Sequence, residues 1–180
     1  SKNKNNVCFE GVIDGDINSI VYDYFDLGTD YNVFKNELSK IDDNMKKSIE
    51  FGSGIRILNQ DLWEMIISFI ISANNNIPRI KGIIDRISKR VGKRLEWRGK
   101  EYYLFPTISE MASLSVADFR ELGAGFRDKR LYKTTQMILN GEVSLEFLEK
   151  CNDTALIREE LLKLDGVGEK VADCIMLFAL

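Results

Sequence analysis

Histidine is absent from this 180-residue chain. That absence removes every His-dependent triad, every imidazole acid or base and every His-bound zinc from consideration. Cysteine is scarce. Cys8, Cys151 and Cys174 are an odd number at wide, irregular spacing, which argues against a disulfide framework, provides no Cys-x-x-Cys knuckle and fits a reducing cytosol. Long apolar runs are missing as well: the longest, residues 65–73, is interrupted by Ser68 and Ser72 and is far too short to span a bilayer. The polar residues 1–6 lead into no apolar targeting segment. Chemistry is left to Lys, Asp/Glu, Tyr or Cys.

What is present is a soluble, globular composition, 44% apolar and 29% charged, with enough apolar material for one sizeable core. The net charge of −3 conceals an asymmetry. Between Pro78 and Lys100 stand nine Lys/Arg against two acids, and Arg127, Lys129, Arg130 and Lys133 form a second cluster, whereas acids gather at residues 14–43. A basic face on an acidic body suits DNA, because phosphate attraction acts locally and is screened beyond about 8–10 Å. A charge run is equally the signature of a merely solvated face.

Residues 7–13 alternate like a strand and end in Asp14-Gly15-Asp16, with no partner strand in view. From Ile17 on, helical periodicity dominates: helices are expected over 17–25, 31–41 and 60–73, the last opened by Asn59 as N-cap. Pro78 suits the first turn of a helix reaching about Val91, and a loop carrying Trp97, Tyr102, Tyr103 and Phe105-Pro106 follows. Further helices are expected over 109–114, 116–122 with Ser115 as cap, 127–139 stopped by Asn140-Gly141, 144–150 and 154–164. The fold class is mainly α, with a β-containing remnant at residues 1–24 and a helical domain over 25–180.

The chain closes on Leu-Asp-Gly-Val-Gly-Glu-Lys-Val-Ala-Asp-Cys, residues 164–174. Gly166 and Gly168 permit a tight turn, and Lys170 stands near the start of a helix, 171–180, apolar almost all round and therefore expected to be buried. Such a turn exposes N–H groups to an anion and aims an amine at it. Its bland reading is a helix entry with a solvated lysine.

Three further segments narrow the choice. The pattern Leu-x-x-Leu-x-Gly-Val-Gly-x-Lys-Val-Ala-Asp over 161–173 resembles the helix-hairpin-helix motif of DNA base-excision glycosylases. Asn74-Asn75-Asn76-Ile77-Pro78-Arg79-Ile80 resembles the Asn-Asn-Asn-Ile-x-Arg-Ile signature of the 8-oxoguanine DNA glycosylases, and Leu122-Gly123-Ala124-Gly125-Phe126-Arg127 is similar to that family's Leu-Gly-x-Gly-Tyr-Arg segment. Lys170 to Cys174 repeats its Lys-Val-Ala-Asp-Cys. The matches fall in the family's order from about residue 50 onward, and all four together are specific where a hairpin alone is not.

The resemblance implies a helix-hairpin-helix glycosylase helical domain whose partner is double-stranded DNA containing 8-oxoguanine, acting as an intracellular monomer without a membrane. A stacked base must be rotated out to be reached. The resemblance gives Asn74, with Asn75 and Asn76, to the vacated stack, and Arg79 with Arg127 to the opposite cytosine, whose edge forked and amide groups can read. Phe126 replaces the family's tyrosine wedge and keeps its stacking face. Read structurally, Phe126 is a core aromatic, and the asparagines cap helices at a break. Lys170 is the implied nucleophile, attacking the sugar C1′, forming a Schiff base and permitting β-elimination; a helix N-terminus and partial burial would both favour its neutral form. Asp173 would oppose this if close. Cys174, one turn on, is implied to flank the damaged base, or else is a small buried apolar residue. Backbone N–H groups of Gly166, Val167 and Gly168 are implied to hold a phosphate, and carbonyls of Leu162, Leu164 and Val167 a monovalent cation. No other cofactor and no iron–sulfur cluster is expected.

Departures accompany the matches. The family's assisting aspartate follows the lysine in a Val-Asp-Val-His stretch, but only ten residues follow Lys170 here, so the sequence is expected to be an internal piece lacking that aspartate and most of the N-terminal β domain, and to be inactive or impaired. Asp165 stands where the family usually has proline. Two other readings remain: a related glycosylase for other oxidised or alkylated bases, and a non-catalytic hairpin module binding DNA through phosphates.

Overall fold

The computed structural model describes residues 15–180, so the strand expected at 7–13 lies outside the described residues. The architecture is mainly α, and contacts divide the chain into two units, Ser1–Asn59 and Gln60–Leu180. The boundary expected from the sequence lies at 24/25 instead.

In the first unit, α1 (Ile17–Tyr24), α2 (Tyr31–Leu38) and α3 (Asp43–Phe51) are each opened by an aspartate, Asp16, Asp30 and Asp42, whose carboxylate accepts a first-turn N–H. None of the three helices buries a residue. Polar contacts tie α2 to the loop before it and to the segment after α3. The Tyr31 hydroxyl donates to Asp26 at 2.7 Å and accepts from Ile57 N–H at 3.0 Å, while the Arg56 guanidinium lies over the Tyr31 ring. Helix α3 went unseen in the sequence because only Met45 and Ile49 mark its inner face. Asn59 does not cap the next helix. It donates to Tyr24 O and Asp23 O, holding the end of α1, and Asp61 takes the capping role instead.

The second unit is built around α4 (Leu62–Ser72), where Leu62, Trp63, Ile66, Ile67, Ile70 and Ile71 are all buried. A helix apolar on every side belongs at the centre. It is surrounded by α5 (Ile77–Val91), α8 (Asp128–Leu139) and α11 (Glu169–Ala179), which add Ile83, Ile87, Leu131, Ala172 and Ile175 to the core. Its indole N–H at Trp63 donates to Pro106 O at 2.9 Å, satisfying a buried polar group. The loop expected after α5 is instead a hairpin: β1 (Arg94–Trp97) pairs antiparallel with β2 (Lys100–Tyr103), Trp97 opposite Lys100. Arg98 and Gly99 both have positive φ, 50° and 71°, the geometry of a two-residue turn that matches strand twist.

Between the hairpin and the last helices lie α6 (Ile108–Met111), α7 (Val116–Glu121), α9 (Leu145–Lys150) and α10 (Thr154–Leu162). Thr107 with Glu110 and Ser115 with Asp118 form reciprocal capping boxes at α6 and α7. A 3-10 turn at Gly125–Arg127 precedes α8, so that helix begins one residue later than expected. Helix α11 begins at Glu169, earlier than expected, and is not buried all round: Ala172 and Ile175 face the core, whereas Leu177 is 55% exposed.

Candidate functional site

The break between α4 and α5 is shaped by its three asparagines, each differently employed. Asn75 donates from its amide to Ile71 O and accepts Asn76 N–H, both at 3.0 Å, and Asn76 caps α5 by accepting Arg79 N–H at 3.0 Å. Both side chains thus take part in closing the break between the two helices. Asn74 differs: it is exposed, its φ is +48°, and its carboxamide has no hydrogen bond among the described residues. A non-glycine residue held in this region is uncommon and requires surrounding support.

Arg127 supplies that support. Its guanidinium donates from Nε to Ala73 O at 2.9 Å, from Nη2 to Asn74 O at 2.9 Å and again to Ala73 O, and from Nη1 to Ala124 O at 3.2 Å. The side chain is 1% exposed, so the expected reader of an opposite base stands here as a buried tether of the Asn74 backbone. Burial first, then the nearby charges of Arg79 and Arg130, lowers its pKa from the ordinary value. A guanidinium still remains charged at neutral pH. Arg79 is exposed at the start of α5, with only a long contact to Gly123 O at 3.5 Å.

Phe126, next to Arg127, is 58% exposed and covers the buried guanidinium, with Arg127 Cζ 4.2 Å and Arg130 Cζ 5.6 Å from its ring centroid. It is not a core aromatic. Gly125, at φ +63°, and Gly123, at φ +90°, allow the chain to turn sharply just before it. The start of α8 is anchored by Asp128, 2% exposed, which receives Arg120 Nη2 at 2.6 Å and Nε at 2.7 Å.

The hairpin between α10 and α11 closes through Leu164 N–H to Leu161 O at 3.2 Å and Val167 N–H to Leu164 O at 3.1 Å. Val167 N–H is thus turned inward, and it drops out of the expected phosphate-binding set, leaving Gly166 and Gly168. Gly166 has φ +99°, and a Cβ there would meet Arg130 Cδ at 3.0 Å and Ile70 Cγ2 at 3.4 Å. Asp165, where the resemblance led us to expect proline, has a structural employment: its carboxylate pairs with Lys133 Nζ at 3.1 Å and its carbonyl accepts Thr134 Oγ1 at 3.0 Å, pinning the turn to α8.

Gly168 starts α11 without a side-chain cap, leaving first-turn N–H groups beside Lys170. Lys170 is exposed rather than partly buried, and it has no ion pair among the described residues. The Asp173 carboxylate, on the same helix, is paired with Arg158 on α10. Cys174 is a free, half-buried thiol one turn beyond Lys170. No group of three or more Cys, Asp or Glu side chains that could hold a metal ion occurs among the described residues, and no helix is long and apolar enough to cross a membrane.

These segments, far apart in sequence, form one continuous chain of contacts: Asn74 to Arg127, Arg127 to Phe126, Phe126 to Arg130, Arg130 to Gly166, and Lys170 four residues on. Arg79, Arg127 and Arg130 gather there without a carboxylate partner among the described residues. Like charges so collected favour an anion. Of the participants, Arg130 and Lys133 were marked in the sequence only as members of a basic cluster, and Asp165 only as a departure from the family pattern.

Residues 4–66 match the family model described as 8-oxoguanine DNA glycosylase, N-terminal domain. The N-glycosylase/DNA lyase of Saccharomyces cerevisiae is 38% identical over 138 residues, covering 71% of this chain and 37% of the relative. The apo structure of Clostridium acetobutylicum 8-oxoguanine glycosylase/lyase superposes with a TM-score of 0.86 at 51% identity, over 90% of this chain and 56% of that one. The same enzyme in complex with double-stranded DNA containing cytosine opposite 8-oxoguanine gives 0.84, covering 90% and 55%. The chain spans less than half of the yeast relative and little more than half of the clostridial enzyme.

Proposed function

Because this chain belongs to the 8-oxoguanine DNA glycosylase family of the helix-hairpin-helix superfamily, we propose that the protein removes 8-oxoguanine from DNA opposite cytosine and then cleaves the strand as an AP lyase. The observation that carries this reading is the continuous patch from Asn74 through Arg127, Phe126 and Arg130 to the hairpin that precedes Lys170. One surface thus offers a group for the vacated stack, an aromatic wedge, uncompensated cations and an amine.

The duplex backbone docks on the Gly166 and Gly168 amides and the first turn of α11, where N–H groups and the helix dipole favour a phosphate. Phe126 stacks at the distorted step and Asn74 enters the space left by the extruded base. Arg79, already exposed, meets the opposite cytosine; Arg127 joins it by exchanging the Ala73 and Asn74 carbonyls for a base edge. Cys174 flanks the damaged base.

Lys170, in its neutral form, donates its nitrogen lone pair to C1′ as the C1′–N9 bond breaks and the base leaves with that electron pair, to be protonated. The aminal then opens to a protonated Schiff base, the C2′ proton departs to a base or water, and its electrons expel the 3′ phosphate by β-elimination. The carbonyl oxygens of Leu162, Leu164 and Val167 suit a monovalent cation. They are hard, neutral donors, and Leu164 O, which accepts Val167 N–H, keeps a second lone pair. Acting on DNA, the protein works inside the cell.

Borohydride trapping of the full-length protein on an 8-oxoguanine or abasic duplex tests the reading. A covalent adduct that disappears in Lys170→Gln is expected; no adduct, or one that survives the substitution, would sink the nucleophile assignment.

A further inference from the structure

Arg130 has no counterpart among the motif residues that carry the family resemblance, yet it occupies the middle of the patch. Its aliphatic stem lies across the hairpin: a Cβ on Gly166 would be 3.0 Å from its Cδ and 3.3 Å from its Cβ. Its guanidinium carbon sits 5.6 Å from the Phe126 ring centroid, so the charged group bridges the wedge and the hairpin turn. The side chain is half-buried and has no hydrogen bond or ion pair among the described residues. The hairpin's own carboxylate, Asp165, is taken by Lys133 at 3.1 Å. Arg130 also raises the local positive potential already felt by Arg127.

A guanidinium without a protein partner among the described residues, near two other guanidinium groups, is placed to receive an anion. We propose that Arg130 binds one DNA backbone phosphate, the one that lies between the step wedged by Phe126 and the phosphate held by the hairpin amides. The proposal rests on the DNA-binding part of the reading above and not on the nucleophile. A phosphodiester fits better than a base edge. The neighbouring hairpin amides already select for phosphate, and a planar fork held by packing along its stem can engage two phosphate oxygens at once. Besides the strain at φ +99°, a Cβ on Gly166 would meet the Arg130 stem at 3.0 Å and 3.3 Å, so the stem would have to shift to make room.

The experiment measures duplex affinity in the full-length protein carrying Lys170→Gln, so that binding is read without turnover. Arg130→Met keeps the stem on Gly166 and removes the charge, and Arg130→Lys keeps the charge. With Met, affinity for abasic and undamaged duplexes should fall together, roughly fivefold to tenfold, and the slope of log affinity against log salt should shrink by about 0.9. Lys should preserve the slope. A methylphosphonate scan along the damaged strand should find one linkage whose neutralisation weakens the Arg130 protein but not Arg130→Met. If every neutralised linkage weakens both proteins equally, or if Met lowers thermal stability while leaving the salt slope intact, Arg130 only packs against Gly166 and the proposal is overturned. Absence of duplex binding by the Lys170→Gln protein itself would overturn the DNA-binding reading, and this proposal with it.

Discussion

Arg127 and Phe126 are neighbours with opposite surroundings, 1% and 58% exposed, and their substitution should separate folding from binding. Arg127→Ala removes donors to Ala73 O, Asn74 O and Ala124 O and frees Asn74 from its +48° conformation. Leaving such carbonyls unpaired in a buried site costs about 1–3 kcal/mol. Urea denaturation should therefore show Arg127→Ala losing about 3 kcal/mol. Phe126→Ala should stay within about 0.5 kcal/mol, as surface substitutions do, yet weaken binding to an abasic duplex several-fold. Equal stability loss in both variants would contradict the two environments. The motif that marks Arg127 was legible in the sequence; its burial was not, because the carbonyls it holds at 73 and 74 lie 54 and 53 residues away and no local pattern encodes that meeting.

Element by element, legibility followed the strength of local signals. Ser115 caps where a hydroxyl before an apolar-periodic run says it should, and Ser144, expected as the first residue of its helix, is its cap instead. Helix α3 and the Arg94–Tyr103 hairpin were missed because charged residues dilute their periodicity, and an Arg-Gly turn is a weaker hairpin signal than Asn-Gly. Helix α11 looked apolar all round, but only the Ala172 and Ile175 face meets the core. Helix α4 makes a testable case of competing terms. Glu64 stands in its first turn, where the helix dipole favours a carboxylate, yet burial first and Asp61 second raise its pKa above 4.5. The folded state thus holds this proton more tightly than the unfolded chain. Its favourable contribution is complete below about pH 4.5 and is lost as pH rises through the folded value. Glu64→Gln should raise the thermal midpoint near neutral pH, with the gain vanishing on acidification to about pH 4. A midpoint unchanged at neutral pH would show that the dipole offsets the burial.

Across the whole molecule, the net charge of −3 is a poor guide, because Arg79, Arg127 and Arg130 are gathered where no carboxylate among the described residues pairs with them. The same unevenness holds for packing. All residues of the patch, from Asn74 to Cys174, belong to the unit Gln60–Leu180, which contains the apolar core, whereas α1, α2 and α3 bury no residue. Elements with few buried contacts open locally at low free energy, and core helices open only with the whole fold. Native-state hydrogen exchange should therefore show amides of α1–α3 exchanging through local openings that depend little on denaturant. Amides of α4, α8 and the Ala172–Ile175 turn of α11 should exchange only through global unfolding. Slowest-exchanging amides shared equally between α2 and α4 would refute this division. The pinning of the hairpin by Asp165 and the anchoring of α8 by Asp128 connect the patch to these core helices, the rigid support that a functional site requires.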